Sequence, residues 1–406
     1  MRVAGVQWEL VSVLVLVLPL RMSALQATPS GSNPGSQQHG RLTALVTAAD
    51  VARLRIVDGS TTTLASISDD SLEFGRVGSG CFLESGEAVV LSAAPPKLIY
   101  LSTTPSVVAR IVGKRGDGPG EFQQPWTVSC FGTDSVAVLE PFRVSVGVPA
   151  RPPLRTHAIN VSANTHWVEP VFQSANGRYL LRSRPKSPSD ILGTYRDTVE
   201  LLVGDPTKED TSHYSRLGRF PSGEYVRVRL DGRTTTAVHP VGRALLVAAA
   251  HKGTYLMETG TPELMIVDDR GRTTSSVRFA LSGRAVTSEF WRRQSQVRRE
   301  AVRMPAQRRI AETLLEQMSV PKQAPLFDRL VAIRGGGVWL REFAFEGEKD
   351  AVWMQLDGED RPVLRWRLPI TTRILAADSM HVLCVSSRDD GVTVEILERP
   401  RTWSPP

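Results

Sequence analysis

The chain has 406 residues, 41% of them hydrophobic and 22% charged, a globular composition that excludes a disordered or collagen-like chain. The formal charge of +7 arises from 49 basic and 42 acidic residues. So mild an excess, mostly arginine, is no electrostatic nucleic-acid footprint, and no nucleic-acid partner is expected.

At the N-terminus Arg2 precedes an apolar run, residues 11–20, broken by Ser12 and Pro19. The run falls short of the ~20 apolar residues that span a bilayer. A basic residue, a short apolar core and small residues beyond it (Ser23, Ala24, Ala27) read as a secretory signal peptide over residues 1–27. The other reading is an uncleaved N-terminal anchor. No cysteine lies near Ala27, so lipid anchoring is not expected. Removing residues 1–27 takes away Arg2, Arg21 and Glu9 and leaves a charge of +6. Residues 28–40, rich in Pro, Gly, Ser and Gln, have nothing to pack and read as a flexible linker. The body is then 41–399, with a tail at 400–406.

Strand-like runs recur along the body at 42–47, 54–57, 88–91, 98–101 and 107–112. Others lie at 198–203, 225–230, 244–249, 264–267, 330–333, 338–343, 351–356, 363–366, 382–385 and 392–397. They are rich in Val, Ile, Leu, Trp and Tyr. Asp58-Gly59, Ser85-Gly86, Asp231-Gly232, Asp357-Gly358 and Asp390-Gly391 separate them, and Asp-Gly admits the positive φ of tight hairpins. Several such meanders suit a closed all-β architecture of radially repeated sheets.

The most distinctive stretch is GKRGDGPGEFQQP, residues 113–125. Gly113, Gly116, Gly118 and Gly120 supply unusual backbone angles, and Pro119 fixes one. Phe122 and Pro125 follow, then a strand-like run 126–131, a turn at Gly132-Thr133-Asp134, a run 136–139 and Glu140. Phe142, Val144 and Val146 alternate after it. Arg115-Gly116-Asp117 spells an adhesion tripeptide, but its glycine answers to the geometry of the turn.

This stretch resembles the Gly-x-Gly-x-Gly-Glu/Gln-Phe-x-x-Pro turn of the NHL-like, six-bladed β-propeller proteins of bacteria. The match covers roughly residues 107–146. Glu140 stands where that family often has Asp. The resemblance implies an all-β, six-bladed β-propeller with a short helical insertion near the C-terminal end. It is silent on activity, because propellers host many functions.

The insertion is residues 284–319, where strand alternation stops. Arg292, Arg293, Arg298, Arg299, Arg303, Arg308 and Arg309 crowd there. Ile310, Leu314 and Met318 recur every four residues behind Pro305, a helix stripe with proline in its first turn. Two helices are predicted, 288–303 and 306–317. The arginines read as a solvated face beside Glu300 and Glu312, the alternative being a docking surface for an anionic partner.

Cys81, Cys130 and Cys384 lie in apolar runs and read as small buried hydrophobes. An odd count permits at most one internal pair. A disulfide framework is not implied.

The histidines, His39, His157, His166, His213, His239, His251 and His381, are scattered, without ligand spacing on one element. His213, His239 and His251 could converge across sheets. Calcium-loop, phosphate-loop and Gly-x-Ser-x-Gly patterns are absent. Asn160-Val161-Ser162 is a glycosylation sequon that matters only on a eukaryotic secretory route.

The expected protein is therefore exported, periplasmic or extracellular, and monomeric, with no membrane span after cleavage. The expected function is a non-enzymatic binding scaffold for a protein, peptide or glycan at the face carrying the insertion. No catalytic residue, metal ligand or cofactor is assigned. The alternative is a metal-assisted hydrolase or lyase with its site in the central channel.

Overall fold

The computed structural model describes residues 42–400, except 60, 69–74, 104–105, 142, 149–153, 159–166, 174–177, 185–190, 206–213, 251–252, 303, 346 and 389–390. The expected signal peptide, linker and most of the tail lie outside those residues, as do Phe142, the Asn160 sequon, His39, His166, His213 and His251.

The described chain enters through β1 (Leu42–Thr47), α1 (Ala48–Arg53), β2 (Ile56–Asp58) and β3 (Thr63–Ser68). A first sheet follows: β4 (Arg76–Phe82), β5 (Ala88–Ala94), β6 (Pro96–Thr103) and β7 (Ser106–Val112). The second is β8 (Thr127–Phe131), β9 (Ser135–Glu140), β10 (Arg143–Gly147) and β11 (Arg155–Ala158). The third is β12 (Trp167–Gln173), β13 (Tyr179–Arg184), β14 (Gly193–Gly204), β15 (Ser215–Leu230) and β16 (Arg233–Val238). The fourth holds β17 (Leu245–Ala250), β18 (Gly253–Glu258), β19 (Glu263–Val267) and β20 (Thr273–Ala280). Helices α2 (Ser288–Ala301) and α3 (Pro305–Glu316) intervene. The fifth sheet holds β21 (Phe327–Ala332), β22 (Val338–Glu342), β23 (Asp350–Leu356) and β24 (Pro362–Pro369). The sixth holds β25 (Thr372–Ala377), β26 (His381–Arg388) and β27 (Gly391–Glu398).

Among the described residues each sheet is an antiparallel meander, and the six stand in a closed ring. Their first strands touch in cyclic order, β4 to β8, β12, β17, β21 and β25, and β25 returns to β4. The N-terminal strands strap three sheets from outside. β1 runs parallel to β20, β2 runs parallel to β24, and β3 pairs antiparallel with β27. The arrangement is all-β and propeller-like.

Side chains of a strand alternate between its two faces, so a strand between two neighbours must be apolar on both. Val89 and Leu91 feed the layer toward the second sheet, while Ala88 and Val90 feed the layer toward the sixth. Val136 and Val138 face the first sheet; Ala137 and Leu139 face the third. Each neighbouring pair of sheets encloses one apolar layer, and the layer between the fifth and sixth holds Trp339, Trp353 and Trp366.

Two features differ from the sequence reading. The short helix α1 was not anticipated, although Thr47 and Asp50 form a reciprocal capping box at its start. The reading of Cys81 and Cys130 as buried hydrophobes is corrected: they form a disulfide joining β4 to β8 across two sheets. Pairing was illegible because the partners are 49 residues apart and meet only when the ring assembles. Cys384 is a buried free thiol, and burial pushes its pKa up.

The helices lie close to the predicted ranges. Leu314, Leu315 and Met318 are buried against Val226 and Val228 of β15, with Ile310 partly buried beside them. Arg292, Arg293, Arg299, Arg308 and Arg309 are exposed. Leu314→Asp is expected to cost roughly 3 kcal/mol, because an unpaired charge would lose its water. Arg292→Gln with Arg299→Gln is expected to stay within about 0.5 kcal/mol. Urea denaturation checks both; the opposite ranking would reverse the face assignment.

Candidate functional site

Alternating strand direction decides which face carries the chemistry. In a four-stranded meander the fourth strand ends at the same edge where the first begins. The connections that leave four-stranded meanders therefore emerge on one face of the ring, and in the third sheet β16 folds back along the far half of β15 on that same side. That face receives the 113–126 turn before β8, the helices before β21, and the start of every first strand. The far halves of β15 and β16 extend there too, as the ribbon on which α3 rests.

The glycine-rich turn is a clasp. The Phe122 N–H donates to the Lys114 carbonyl at 2.8 Å, and the Gly116 N–H donates to the Phe122 carbonyl at 3.2 Å. Gly113 has φ +94°, and a Cβ there would overlap the Phe122 ring, so both geometry and space require glycine. Gly116 and Gly120 also have positive φ. Gly118 donates its N–H to Glu121 Oε2 at 3.0 Å, and Lys114 pairs with the other oxygen at 3.1 Å. These contacts, Gly118 first, hold the Glu121 carboxyl below its usual pKa. Pro119 is exposed and Pro125 buried.

Phe122 is 0% exposed, inserted among Leu91, Tyr100, Val128 and Val138 between the first and second sheets. Behind it Glu140, 2% exposed, accepts the N–H groups of Gln123 and Gln124 at 2.7 Å each. Its other oxygen pairs with Arg143. Arg143 also donates to the Gly116 carbonyl at 3.0 Å and pairs with Asp117 at 3.1 Å. A buried carboxylate held by two amides and a guanidinium is a fastening for the backbone. Asp117 of the adhesion tripeptide is tied into the same clasp.

His239 fastens the insertion in a similar way. The Val241 N–H donates to its Nδ1 at 3.3 Å, so Nε2 carries the proton and donates to the Ser319 carbonyl at 2.9 Å. The ring stacks on Trp291 of α2 with centroids 5.7 Å apart. Both nitrogens are occupied, which removes His239 from ligand duty in this arrangement. Its convergence with His213 and His251 falls outside the described residues. Among the described residues no three His, Cys, Asp or Glu stand together as a metal site. Phe290 of α2 packs on Phe345 at 4.1 Å, and Arg284 lies over the same ring at 4.3 Å.

The charge that sequence reasoning missed lies on the ring's inner wall. Arg329 on β21 is the register partner of Arg341 on β22. Arg341 takes both oxygens of Asp328, at 2.7 and 2.6 Å. Arg373, at the start of β25, donates to the Val77 carbonyl of β4 at 3.0 Å. Arg329 is half-buried, and its Nε is closed off without an acceptor. Burial, then the charges of Arg341 and Arg373, push its pKa down to about 10 against the pull of Asp328. No sequence motif marks these arginines, because they come together through the β21–β22 pairing and the neighbouring first strand β25.

No protein-family model matches the chain, and no curated protein matches it. Among solved structures it resembles a member of the DUF4221 family from Bacteroides vulgatus, with a TM-score of 0.51 and 8% identity. That likeness covers 85% of this chain and 98% of the other. An exported protein, by its name, from Bacteroides fragilis matches at TM-score 0.47 and 11% identity, over 86% of this chain and 100% of that one. Virginiamycin B lyase from Staphylococcus aureus matches at TM-score 0.38 and 8% identity, over 82% and 98%. At 8% identity the DUF4221 likeness speaks to the fold alone, and the ring of meander sheets is β-propeller-like. Among the described residues no helix is long and apolar enough to cross a membrane.

Proposed function

We propose that this is an exported, NHL-like, six-bladed β-propeller acting as a non-enzymatic binding scaffold. Its domains are a signal peptide over 1–27, a linker over 28–40 and a propeller over 41–399 carrying the insertion. The observation that carries the reading is the one-sided construction of the ring. The glycine-rich clasp, the helices and the β15–β16 ribbon all build up the face where the first strands begin. A protein, peptide or glycan docks on that face. The titratable groups most deeply set into it, Glu140 and His239, are spent on holding the backbone. Six sheets with first strands in cyclic contact favour six blades.

Export draws support from a second quarter. Disulfides form and persist in oxidising compartments, and Cys81–Cys130 joins two sheets of the core. The intact mass of the exported protein is expected to show loss of about the first 27 residues. A species retaining Met1 would overturn cleavage.

The scaffold reading is tested against a metal-assisted hydrolase or lyase of the channel by elemental analysis of protein purified without chelator. Less than a tenth of an equivalent of any transition metal or calcium is expected. One tightly bound equivalent would overturn the scaffold in favour of the enzyme.

A further inference from the structure

We propose that Arg329, with Arg373 beside it, forms an oxyanion-binding site on the inner wall of the ring, at the mouth that opens on the insertion-bearing face. This deepens the binding-scaffold reading and rests on it: the ligand held at that face carries a carboxylate or phosphate group that enters the mouth.

Arg329, Arg341 and Arg373 gather where the fifth and sixth sheets meet. Asp328 accepts from Arg341 with both oxygens, one from Nε and the other from a terminal nitrogen. Arg373 is anchored through one nitrogen to the Val77 carbonyl, which links its strand to the first sheet. Among the described residues Arg329 is left with no hydrogen bond and no ion pair, and its Nε is shut away from water. Buried polar groups in folded proteins nearly always find partners, and one that does not calls for an explanation.

Stability does not supply that explanation. Like charges directly opposite each other on neighbouring strands repel, and Arg329 and Arg341 are such a pair. Arg373 adds a third charge from the next sheet, which Arg329 feels as repulsion. An apolar side chain at position 329 would continue the layer that Val331, two residues on and on the same face, joins between the fifth and sixth sheets, without that cost. A guanidinium is the residue that suits planar, two-point recognition of carboxylate or phosphate. Low local dielectric on the wall would strengthen its attraction for an anion over that of a solvated arginine such as Arg299.

The position fits a ligand site. Arg329 and Arg373 lie near the starts of their strands, on the same side of the ring as the helices and the β15–β16 ribbon. Breaks from local sequence logic are expected at functional sites, and an arginine on a first strand without a partner among the described residues is such a break.

Calorimetric titration of the exported protein with citrate and, separately, with inorganic phosphate tests the proposal at low ionic strength. Wild type is expected to bind at least one of them with a millimolar or tighter Kd that weakens as sodium chloride is raised. Preference for citrate assigns a carboxylate ligand; preference for phosphate assigns a phosphorylated one. Arg329→Gln should weaken binding at least tenfold, and Arg329→Lys should recover only part of it. Arg299→Gln, on the exposed helix face, should leave the titration unchanged. The Arg329→Gln protein should melt at or above the wild-type temperature, which excludes unfolding as the cause. Wild-type protein that binds neither anion, or equal binding by Arg329→Gln, overturns the site and leaves the scaffold reading standing. One equivalent of tightly bound metal overturns the scaffold reading whichever way the anions behave.

Discussion

Phe122→Ala should destabilise the protein by about 3–5 kcal/mol, the range for truncating a large aromatic in a packed core. The ring is wholly buried in the layer between the first and second sheets, among Leu91, Tyr100, Val128 and Val138. Its backbone is pinned on both sides by hydrogen bonds to Lys114 and Gly116. The clasp around Glu140 and Arg143 resists collapse, so the cavity would persist instead of closing. A loss of that size approaches the whole margin of a marginally stable domain. Glu121→Gln is the matched control. Its carboxylate accepts from backbone N–H groups, Gly118 first, and pairs with an exposed lysine, so Glu121→Gln should barely move the midpoint. Urea denaturation of the two variants beside wild type gives the comparison. Equal midpoints for Phe122→Ala and wild type would show that the turn is a surface loop. Gly113→Val should be as damaging as Phe122→Ala, since a side chain there meets both a positive φ and the Phe122 ring.

Breaking the Cys81–Cys130 bridge should cost about 4 kcal/mol by the loop-entropy relation for a closed segment of 49 residues. The bridge ties β4 to β8, first strands of neighbouring sheets, so it limits how far the ring opens in the unfolded chain. A Cys81→Ala, Cys130→Ala double variant should unfold at lower urea and lose its response to reductant, while wild type with reductant should fall to the same midpoint. Thiol titration in denaturant without reductant should count one group, Cys384. Three thiols would refute the bridge and remove its support for export.

The strand runs and the glycine-rich turn could be read from the sequence because they are local. Residues 88–91 and 136–139 are apolar without alternation, which suits strands buried on both faces, and 113–125 carries its geometry in its own glycines. Several strands escaped that reading for the converse reason. β4 (RVGSGCF) and β25 (TRILAA) face the ring's interior, where polar and small residues replace the apolar pattern. β3 earns its place by pairing with β27 across more than three hundred residues, a contact that no local window contains.

Local patterns in the chain are enough for an all-β protein of repeated meanders, a helical insertion whose Leu314 and Met318 seek cover, and a turn that must hold positive φ. Each follows from side-chain period or backbone sterics within a few residues. Assembly of the ring is what brings Cys81 to Cys130, straps three sheets with the N-terminal strands, makes His239 a strut, and leaves Arg329 unpaired among the described residues. Those facts depend on which first strands become neighbours when the ring closes, and long-range contact is set by the packing of whole sheets.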